Sequence, residues 1–315
     1  MSKDHESNWI AGFWERIGAF VIDVLILGVL GLSLGLFLGD VFAGMGNRGV
    51  MVGFSISLVY FGVMNSQVSN GQTLGKKIVG IRVVDVNNQS IGLARSIARY
   101  CVLGVPYFFG GVQFGNSDIA HYLNLAVNLI AIAGSLSIAY LYIFNRVTRQ
   151  SLHDLIVRTY VVKTAEDKQP IGPISTAHYG AVGLIFFFST LMFVPTNDDA
   201  QAELIADLIA ASDLLVENPI VISADVFDGK SMRIFDDTGA TEMSYVTARI
   251  FLAQDQISNA VIARELATTL VFAYRPSLER DVIQVTLTYG YNIGIASRWN
   301  NHAHLFKPSE FIDPG

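Results

Sequence analysis

An apolar stretch with a single acid inside it constrains this chain more than any other feature. Residues 17–38 form an almost unbroken apolar run in which Asp23 is the only charge. A helix of about 22 residues, rising 1.5 Å per residue, is about 33 Å long, which matches a hydrocarbon core of about 30 Å. The stretch therefore predicts a membrane-spanning helix.

The position of Asp23 allows two interpretations. A carboxylate inside the bilayer costs about 2.5 to 3.5 kcal/mol at a helix centre, so it should face protein or water rather than lipid. Arg16 lies seven residues earlier on the same helical face, about 10 Å away along the axis, so the two side chains can share a partner. Asp23 is then either an ion or proton site or part of a buried ion pair that fixes helix packing, and the energetic cost favours the pair.

The composition also indicates an integral membrane protein. The chain is 51% hydrophobic and 15% charged, with a mean hydropathy of +0.43, which is too apolar for an ordinary soluble domain. Residues 1–197 carry 13 Lys and Arg against 10 Asp and Glu, whereas residues 198–315 carry 8 against 17. This asymmetry indicates two parts with different surroundings. The single cysteine, Cys101, excludes an internal disulfide.

Further apolar runs set the predicted number of crossings. Four follow the first, at residues 50–64, 91–114, 119–144 and 179–194, and a Gly-rich link at 39–49 separates the first two. Basic residues are concentrated in the loops at 66–99 and 145–178, so the positive-inside rule places these loops and the N-terminus in the cytoplasm. Arg95 and Arg99, four residues apart, are expected to extend to the interface.

These features predict an α-helical membrane bundle of about five transmembrane helices, followed by a small extracytoplasmic α+β domain. The predicted divisions are a membrane domain at residues 1–178, a final transmembrane helix at 179–195 and an extracytoplasmic domain at 196–315. The expected location is the inner (plasma) membrane, with the lipid bilayer as the first partner of the chain.

The cytoplasmic loops contain local signals for short elements. The turn at Asn70 and Gly71 precedes β-branched residues at 78–84, which predict a strand. A second strand at residues 159–162 fits as its partner, and Ser151 fits a helix cap. A phosphate-binding loop is rejected, because three residues rather than four separate Gly71 from Gly75-Lys76 and no Ser or Thr follows.

The fourth apolar run carries a polar stripe at helical spacing. Its members, three to seven residues apart, are His121, Asn124, Asn128 and Ser135. They fit either hydrogen bonds between helices, which we favour, or a water-lined path that works together with Asp23.

Three motifs in this part of the chain resemble the RDD family, small membrane domains named for one arginine and two aspartates. Arg16 and Asp23 match the pair in the family's first helix. Residues 71–76, Gly-Gln-Thr-Leu-Gly-Lys, are similar to the family's G-x-T-x-G-K segment, with Leu74 where proline is frequent. Asp154, in the sequence Leu-His-Asp, matches the second aspartate. The resemblance covers about residues 10–165 and implies a membrane domain, for which transport, including cation/proton exchange, is the activity proposed for some members.

The resemblance also suggests roles for the motif residues. All three charges lie at or near the predicted cytoplasmic edge, where one guanidinium can bridge two carboxylates. In a transporter Asp23 would be the titrating or cation-facing group, Arg16 its counter-charge and Asp154 the cytoplasmic acid.

Residues 196–315 show no family resemblance. Their pattern predicts a helix at 198–216, strands at 219–227 and 229–235, helical segments at 245–252 and 257–274, and one or two strands at 282–297 bent near Gly290. His302 and His304 would share one face of a strand, but no third ligand is set by spacing, so we expect solvated histidines and no metal. The acidic balance argues against nucleic acid as a partner.

The leading functional hypothesis is transport of an ion or small solute. The alternative is a non-transporting scaffold or sensor that anchors a domain, residues 196–315, binding a protein partner outside the cytoplasm. An enzyme is a distant third, because motifs such as Gly-x-Ser-x-Gly and His-Glu-x-x-His do not occur in the sequence. No cofactor is expected.

Overall fold

A computed structural model describes residues 9–111, 118–193, 199–235 and 239–312. The chain divides into two compact units. Unit 1 consists of Met1–Leu32, Val50–Pro195 and Ile293–Ala296, and unit 2 of Ser33–Gly49, Thr196–Asn292 and Ser297–Gly315. Residues 115–118, which connect the apolar runs at 91–114 and 119–144, lie outside the described residues except for Asp118.

Seven α-helices and two strands are the main elements of the described structure up to residue 193. The helices are α1 Phe13–Met45, α2 Val50–Met64, α3 Leu74–Val79, α4 Leu93–Phe109, α5 Asp118–Phe144, α6 Leu152–Val157 and α7 Thr176–Leu191. The strands are β1 Ile81–Asp85 and β2 Thr159–Lys163. By length and composition, Phe13–Met64 and Ile119–Phe144 are apolar enough to cross a bilayer, and Thr176–Leu191 is a shorter apolar helix.

The first helix is longer than the sequence pattern indicated. The predicted link at residues 39–49 is wrong over residues 39–45, because α1 continues through them to Met45 with a kink at Leu38, where φ is −121° and ψ is 15°. Gly39 is tolerated here because one glycine costs a helix only about 1 kcal/mol, and apolar residues resume at Val41, after Asp40. Leu36 and Phe37, just before the kink, are 75% and 86% exposed, as expected for side chains that face lipid.

A small two-stranded ladder lies beside the helices in unit 1. β1 and β2 are antiparallel, with Ile81 opposite Lys163 and Asp85 opposite Thr159, which confirms the predicted pairing. β1 begins three residues later than predicted, because residues 74–79 form α3. Gly80, with φ of +77°, ends that helix.

Unit 2 has an α+β architecture. Its main elements are α8 Asp199–Val216, β3 Val221–Phe235, β4 Gly239–Leu252, α9 Ala260–Ala273, β5 Val282–Asn292 and β6 Ser297–Phe306. The sheet order is β3-β4-β5-β6. β4 and β5 are parallel and are connected through α9, whereas the two outer pairs are antiparallel. One hydrophobic core includes residues of α8, α9 and the sheet, which confirms the predicted mixture of helices and sheet.

Three details of unit 2 differ from the sequence prediction. The helix predicted at 245–252 is wrong, because these residues belong to β4, where Val246, Ala248 and Ile250 are fully buried at the two-residue spacing of a strand. Residues 221–235 form one strand rather than two. The segment predicted as one or two strands at 282–297 forms β5, which continues through Gly290 to Asn292, and a second strand, β6, begins only at Ser297 and contains the two histidines.

Candidate functional site

Asp154 is the centre of a buried ionic cluster in unit 1. Ser151 is the N-cap of α6, as predicted, and its position places Asp154 in the first turn. Oδ1 of Asp154 accepts hydrogen bonds from Arg99 Nη2 at 2.7 Å, Arg99 Nε at 2.9 Å and the Thr159 hydroxyl at 3.0 Å. Oδ2 accepts from Arg16 Nη2 at 2.6 Å. One carboxylate therefore ties α1, α4 and β2 to α6.

The electrostatics of this cluster keep Asp154 ionised. Burial alone would raise the pKa of its carboxyl, but the charges of Arg99 and Arg16, together with the hydrogen bond from Arg99, hold that pKa well below its usual range. Arg16 also donates to the backbone carbonyl of Arg149. Loss of one partner from such a buried pair typically costs about 3 to 5 kcal/mol, because the remaining charge is left uncompensated.

Asp23 is buried in a separate set of hydrogen bonds. Its carboxylate accepts from the Tyr60 hydroxyl at 2.7 Å, the Thr73 hydroxyl at 2.6 Å and the Gly75 amide at 2.8 Å. A Cβ on Gly75 would lie 2.0 Å from the carbonyl oxygen of Ala19 in α1, so only glycine fits. The G-x-T-x-G-K segment is thus the part of the chain that binds the acid of the first helix.

The pairing of the motif charges differs from the expectation. One guanidinium was expected to bridge two carboxylates, with Arg16 as counter-charge of Asp23. In the structure two guanidinium groups, Arg16 and Arg99, bind the single carboxylate of Asp154, and the donors to Asp23 are uncharged. Arg99, which was expected at the interface, is only 7% exposed. The sequence signal that could have placed Arg99 beside α6 was its four-residue spacing from Arg95 on the same helix. Arg95 donates a hydrogen bond to the carbonyl oxygen of Val157, at the end of α6, at 2.6 Å.

A cavity of about 470 Å³ is lined by Asp23 and by Arg16 and Arg99, the two partners of Asp154. Its polar lining consists of Arg16, Asp23, Asn65, Lys76, Arg99, Ser135 and His153. The other lining residues are aromatic or aliphatic and come mainly from α1, α4 and α5: Phe13, Ile17, Phe20, Phe61, Tyr100, Leu103, Tyr107, Ile138, Ala139, Tyr142, Ile143 and Val161. Its volume is within the range of about 300 to 1,000 Å³ that is usual for small-molecule sites.

Two titratable side chains that line the cavity, Lys76 and His153, have lowered pKa values. Burial lowers the pKa of Lys76 to about 7, and the charge of Arg99 acts in the same direction. Its Nζ donates to Asn65 Oδ1 at 2.5 Å. Burial also lowers the pKa of His153 to about 3, so this imidazole is neutral. Within the described part of the chain, the buried Nδ1 of His153 has no hydrogen-bond partner.

Comparison with known proteins identifies the membrane part. The RDD family model matches residues 10–158. The chain is 30% identical over 152 residues to the Uncharacterized protein YckC of Bacillus subtilis (strain 168), covering 48% of this chain and 83% of that protein. The chain belongs to the RDD family. It is also 26% identical over 137 residues to the Uncharacterized protein YxaI of the same organism, covering 35% of this chain and 90% of that protein. No solved structure matches.

Family membership together with the apolar helices makes this chain a membrane-type protein. Both motif aspartates and the G-x-T-x-G-K segment lie within the matched residues 10–158. The family match does not extend to residues 196–315, and the names of the two relatives state no activity.

The polar stripe of this RDD domain is not gathered at one place. Ser135 lines the cavity together with Asp23, whereas Asn128 donates to the Asn124 carbonyl of its own helix at 2.8 Å and accepts from the Gly111 amide at 3.0 Å. His121 is exposed, with its ring against Tyr122. Among the four stripe residues, the cavity lining includes Ser135 alone.

The histidine pair lies in unit 2, on β6, as the strand geometry predicts. The ring centroids of His302 and His304 are 4.6 Å apart, and Nε2 of His304 lies 2.8 Å from the carbonyl oxygen of Ile257. No group of three or more metal-ligating side chains occurs among the described residues.

Proposed function

We propose that this RDD-family protein crosses the inner (plasma) membrane five times, through α1, α2, α4, α5 and α7. The bilayer is then its first partner. Helices α2, α4 and α7 have 15, 17 and 16 residues, or about 22 to 26 Å at 1.5 Å per residue, so they need local thinning of the bilayer or help from flanking residues. The basic loops support a cytoplasmic N-terminus, and five crossings place residues 196–315 on the opposite side.

We further propose that unit 1 binds a small solute or ion in its cavity and carries it across the membrane. The observation that supports this function is the cavity itself, which is lined by ionisable side chains and by a larger number of aromatic and aliphatic ones. Ionisable groups are costly inside membrane proteins, and their presence commonly marks a solute pathway. The proposed function requires no enzymatic reaction and no cofactor.

The contacts of the motif residues suggest what they contribute. Asp23 accepts three hydrogen bonds, and Asp154 is held by two guanidinium groups. Side chains so fully engaged are suited to holding the cavity walls in place. Lys76, by contrast, belongs to the polar lining of the cavity and makes one described hydrogen bond, to Asn65.

A second candidate is a scaffold or sensor whose extracytoplasmic domain binds a protein partner. The same engagement of Asp23 and Asp154 favours it, because a motif that only fixes helix packing would need no solute. Unit 2 has its own hydrophobic core, as a separately acting partner-binding domain requires. In this case the membrane unit would serve as the anchor.

Flux measurements in proteoliposomes test transport against anchoring. We would compare the native protein with Ala139→Trp, which fills the cavity, and with Leu136→Trp, a matched change on the same helix at an exposed residue outside the cavity lining. Movement of protons, sodium ions, and small organic anions and cations would be followed. Transport predicts flux of at least one solute in the native protein and Leu136→Trp, and its loss in Ala139→Trp. Absence of native flux, or full flux in Ala139→Trp, would support the anchor.

A further inference from the structure

The polar lining of the cavity has an excess of positive charge. Three basic side chains, Arg16, Lys76 and Arg99, line it. The carboxylates that act on Lys76 are Asp23 and Asp154, and His153 is neutral because burial lowers its pKa to about 3. With Lys76 protonated, three cations therefore face two carboxylates. An entering anion would neutralise this excess, whereas a cation would increase it.

Lys76 is the basic group best placed to bind an entering ligand. Arg16 and Arg99 are committed to Asp154 at 2.6 and 2.7 Å. An ammonium group has three N–H donors, and the described contact of Lys76 Nζ is the one to Asn65. Two donors of the ammonium group are therefore left for a ligand. Asn65 positions the lysine side chain without neutralising its charge.

A second pocket extends the basic surface towards the end of α5. It has a volume of about 390 Å³ and shares Phe13, Arg16, Tyr142 and Ile143 with the cavity. Its other lining residues are Asn145, Arg146 and Arg149, and none of the lining residues that the structure describes is acidic. Arg16, whose guanidinium lies 5.3 Å from the centre of the Tyr142 ring, belongs to both. An anion that approached here would meet basic side chains from the pocket to the cavity.

The remaining walls of the cavity suit an apolar tail. Most are aromatic or aliphatic side chains such as Phe20, Phe61 and Leu103, and burial of apolar ligand surface against them contributes about 25 cal/mol per Å². We propose that the cavity binds an amphipathic anion, with its anionic head on Lys76 and its apolar tail between α1, α4 and α5. This inference rests on the proposed function, because it names the class of solute that the cavity takes.

The lowered pKa of Lys76 agrees with such a ligand. A lysine with a pKa of about 7 changes charge near neutral pH, and the charges acting on it come from Arg99, Asp23, Arg16 and Asp154. An anionic head group favours the charged ammonium, so binding should be accompanied by proton uptake. Affinity is expected to fall as the pH rises above about 7.

Native mass spectrometry of the full chain in a neutral maltoside detergent tests the inference. The probes are laurate, dodecyl phosphate, dodecylammonium, dodecanol and inorganic phosphate. We expect one bound laurate or dodecyl phosphate per chain, with at least tenfold weaker binding in Lys76→Met. The matched control is Lys77→Met, which removes the charge of the neighbouring exposed lysine and should bind as the native protein does. Cooperative thermal unfolding of each variant would show that both are folded, and Lys76→Arg should retain anion binding.

The other probes separate the possible failures. Dodecylammonium or dodecanol could bind as tightly as laurate, in a way that Ala139→Trp abolishes and Lys76→Met leaves unchanged. In that case the cavity binds a solute, but the inference that the solute is an anion is wrong. If inorganic phosphate binds as tightly as dodecyl phosphate, the proposal that an apolar tail contributes to binding is wrong. If no probe binds in a way that is sensitive to Ala139→Trp, both the inference and binding of such a solute by the cavity fail.

Discussion

Replacement of Arg99 by methionine should destabilise the membrane unit strongly, although sequence reasoning placed this arginine at the membrane interface. Arg99 makes two hydrogen bonds to Asp154 Oδ1, at 2.7 and 2.9 Å, and is 7% exposed. Breaking a buried pair of this kind costs about 3 to 5 kcal/mol. Because Arg16 still donates a hydrogen bond to Oδ2, we expect Arg99→Met to lower the free energy of unfolding by about 3 kcal/mol, the lower end of this range. Asp154→Asn should cost more, because it leaves two buried guanidinium groups without a counter-charge.

The free energy of unfolding can be measured by titration with dodecyl sulfate in mixed micelles, followed by circular dichroism. Arg146→Met, at an exposed arginine, is the matched control and should stay within about 0.5 kcal/mol of the native protein. A loss below about 1 kcal/mol in Arg99→Met, or a smaller loss in Asp154→Asn than in Arg99→Met, would refute the assignment of Asp154 as the centre of the cluster.

Three further predictions concern other parts of the chain. Gly75→Ala should lower the melting temperature, because its Cβ would lie 2.0 Å from the Ala19 carbonyl oxygen. In Gly18→Ala the added Cβ meets open space, so this variant should leave the melting temperature unchanged or raise it. Equal effects of the two substitutions would contradict the close approach of Gly75 to α1. Because the pKa of Lys76 is lowered to about 7, the unfolded chain binds one more proton than the native chain between about pH 7 and pH 10. The free energy of unfolding of the native protein should therefore rise with pH in this range, relative to that of Lys76→Met. Parallel pH profiles of the two proteins would be inconsistent with this. In β4, Val246→Asp and Ala248→Asp should unfold the sheet, but Thr247→Asp should not, since of these three side chains only the first two are fully buried. Limited proteolysis would follow the unfolding. Equal protease sensitivity of all three variants would argue against the strand.

Features that depend on nearby residues could be predicted from the sequence. The apolar runs at residues 50–64 and 119–144 correspond closely to α2 and α5, and Ser151 is the expected helix cap. These depend on hydrophobic length and on capping chemistry, which act over a few residues. The resemblance to the RDD family, carried by short motifs, was likewise correct.

The partners of the motif residues could not be predicted, because they depend on contacts between distant parts of the chain. Arg16 and Asp154 are 138 residues apart, and Asp23 and Gly75 are 52 apart. Spacing on one helix suggested a shared partner for Arg16 and Asp23 but carried no information about α4, which supplies Arg99. The prediction of a helix at residues 245–252, within β4, was wrong for a different reason, since a short apolar segment fits helical and strand spacing almost equally well.

The most direct test of the account is a structure of the protein determined with saturating laurate. We predict one carboxylate within hydrogen-bond distance of Lys76 Nζ and an alkyl chain along α1 and α5, with the contacts of Asp154 to Arg16 and Arg99 unchanged. An empty cavity, or laurate bound only on the outer surface of the helices, would contradict it.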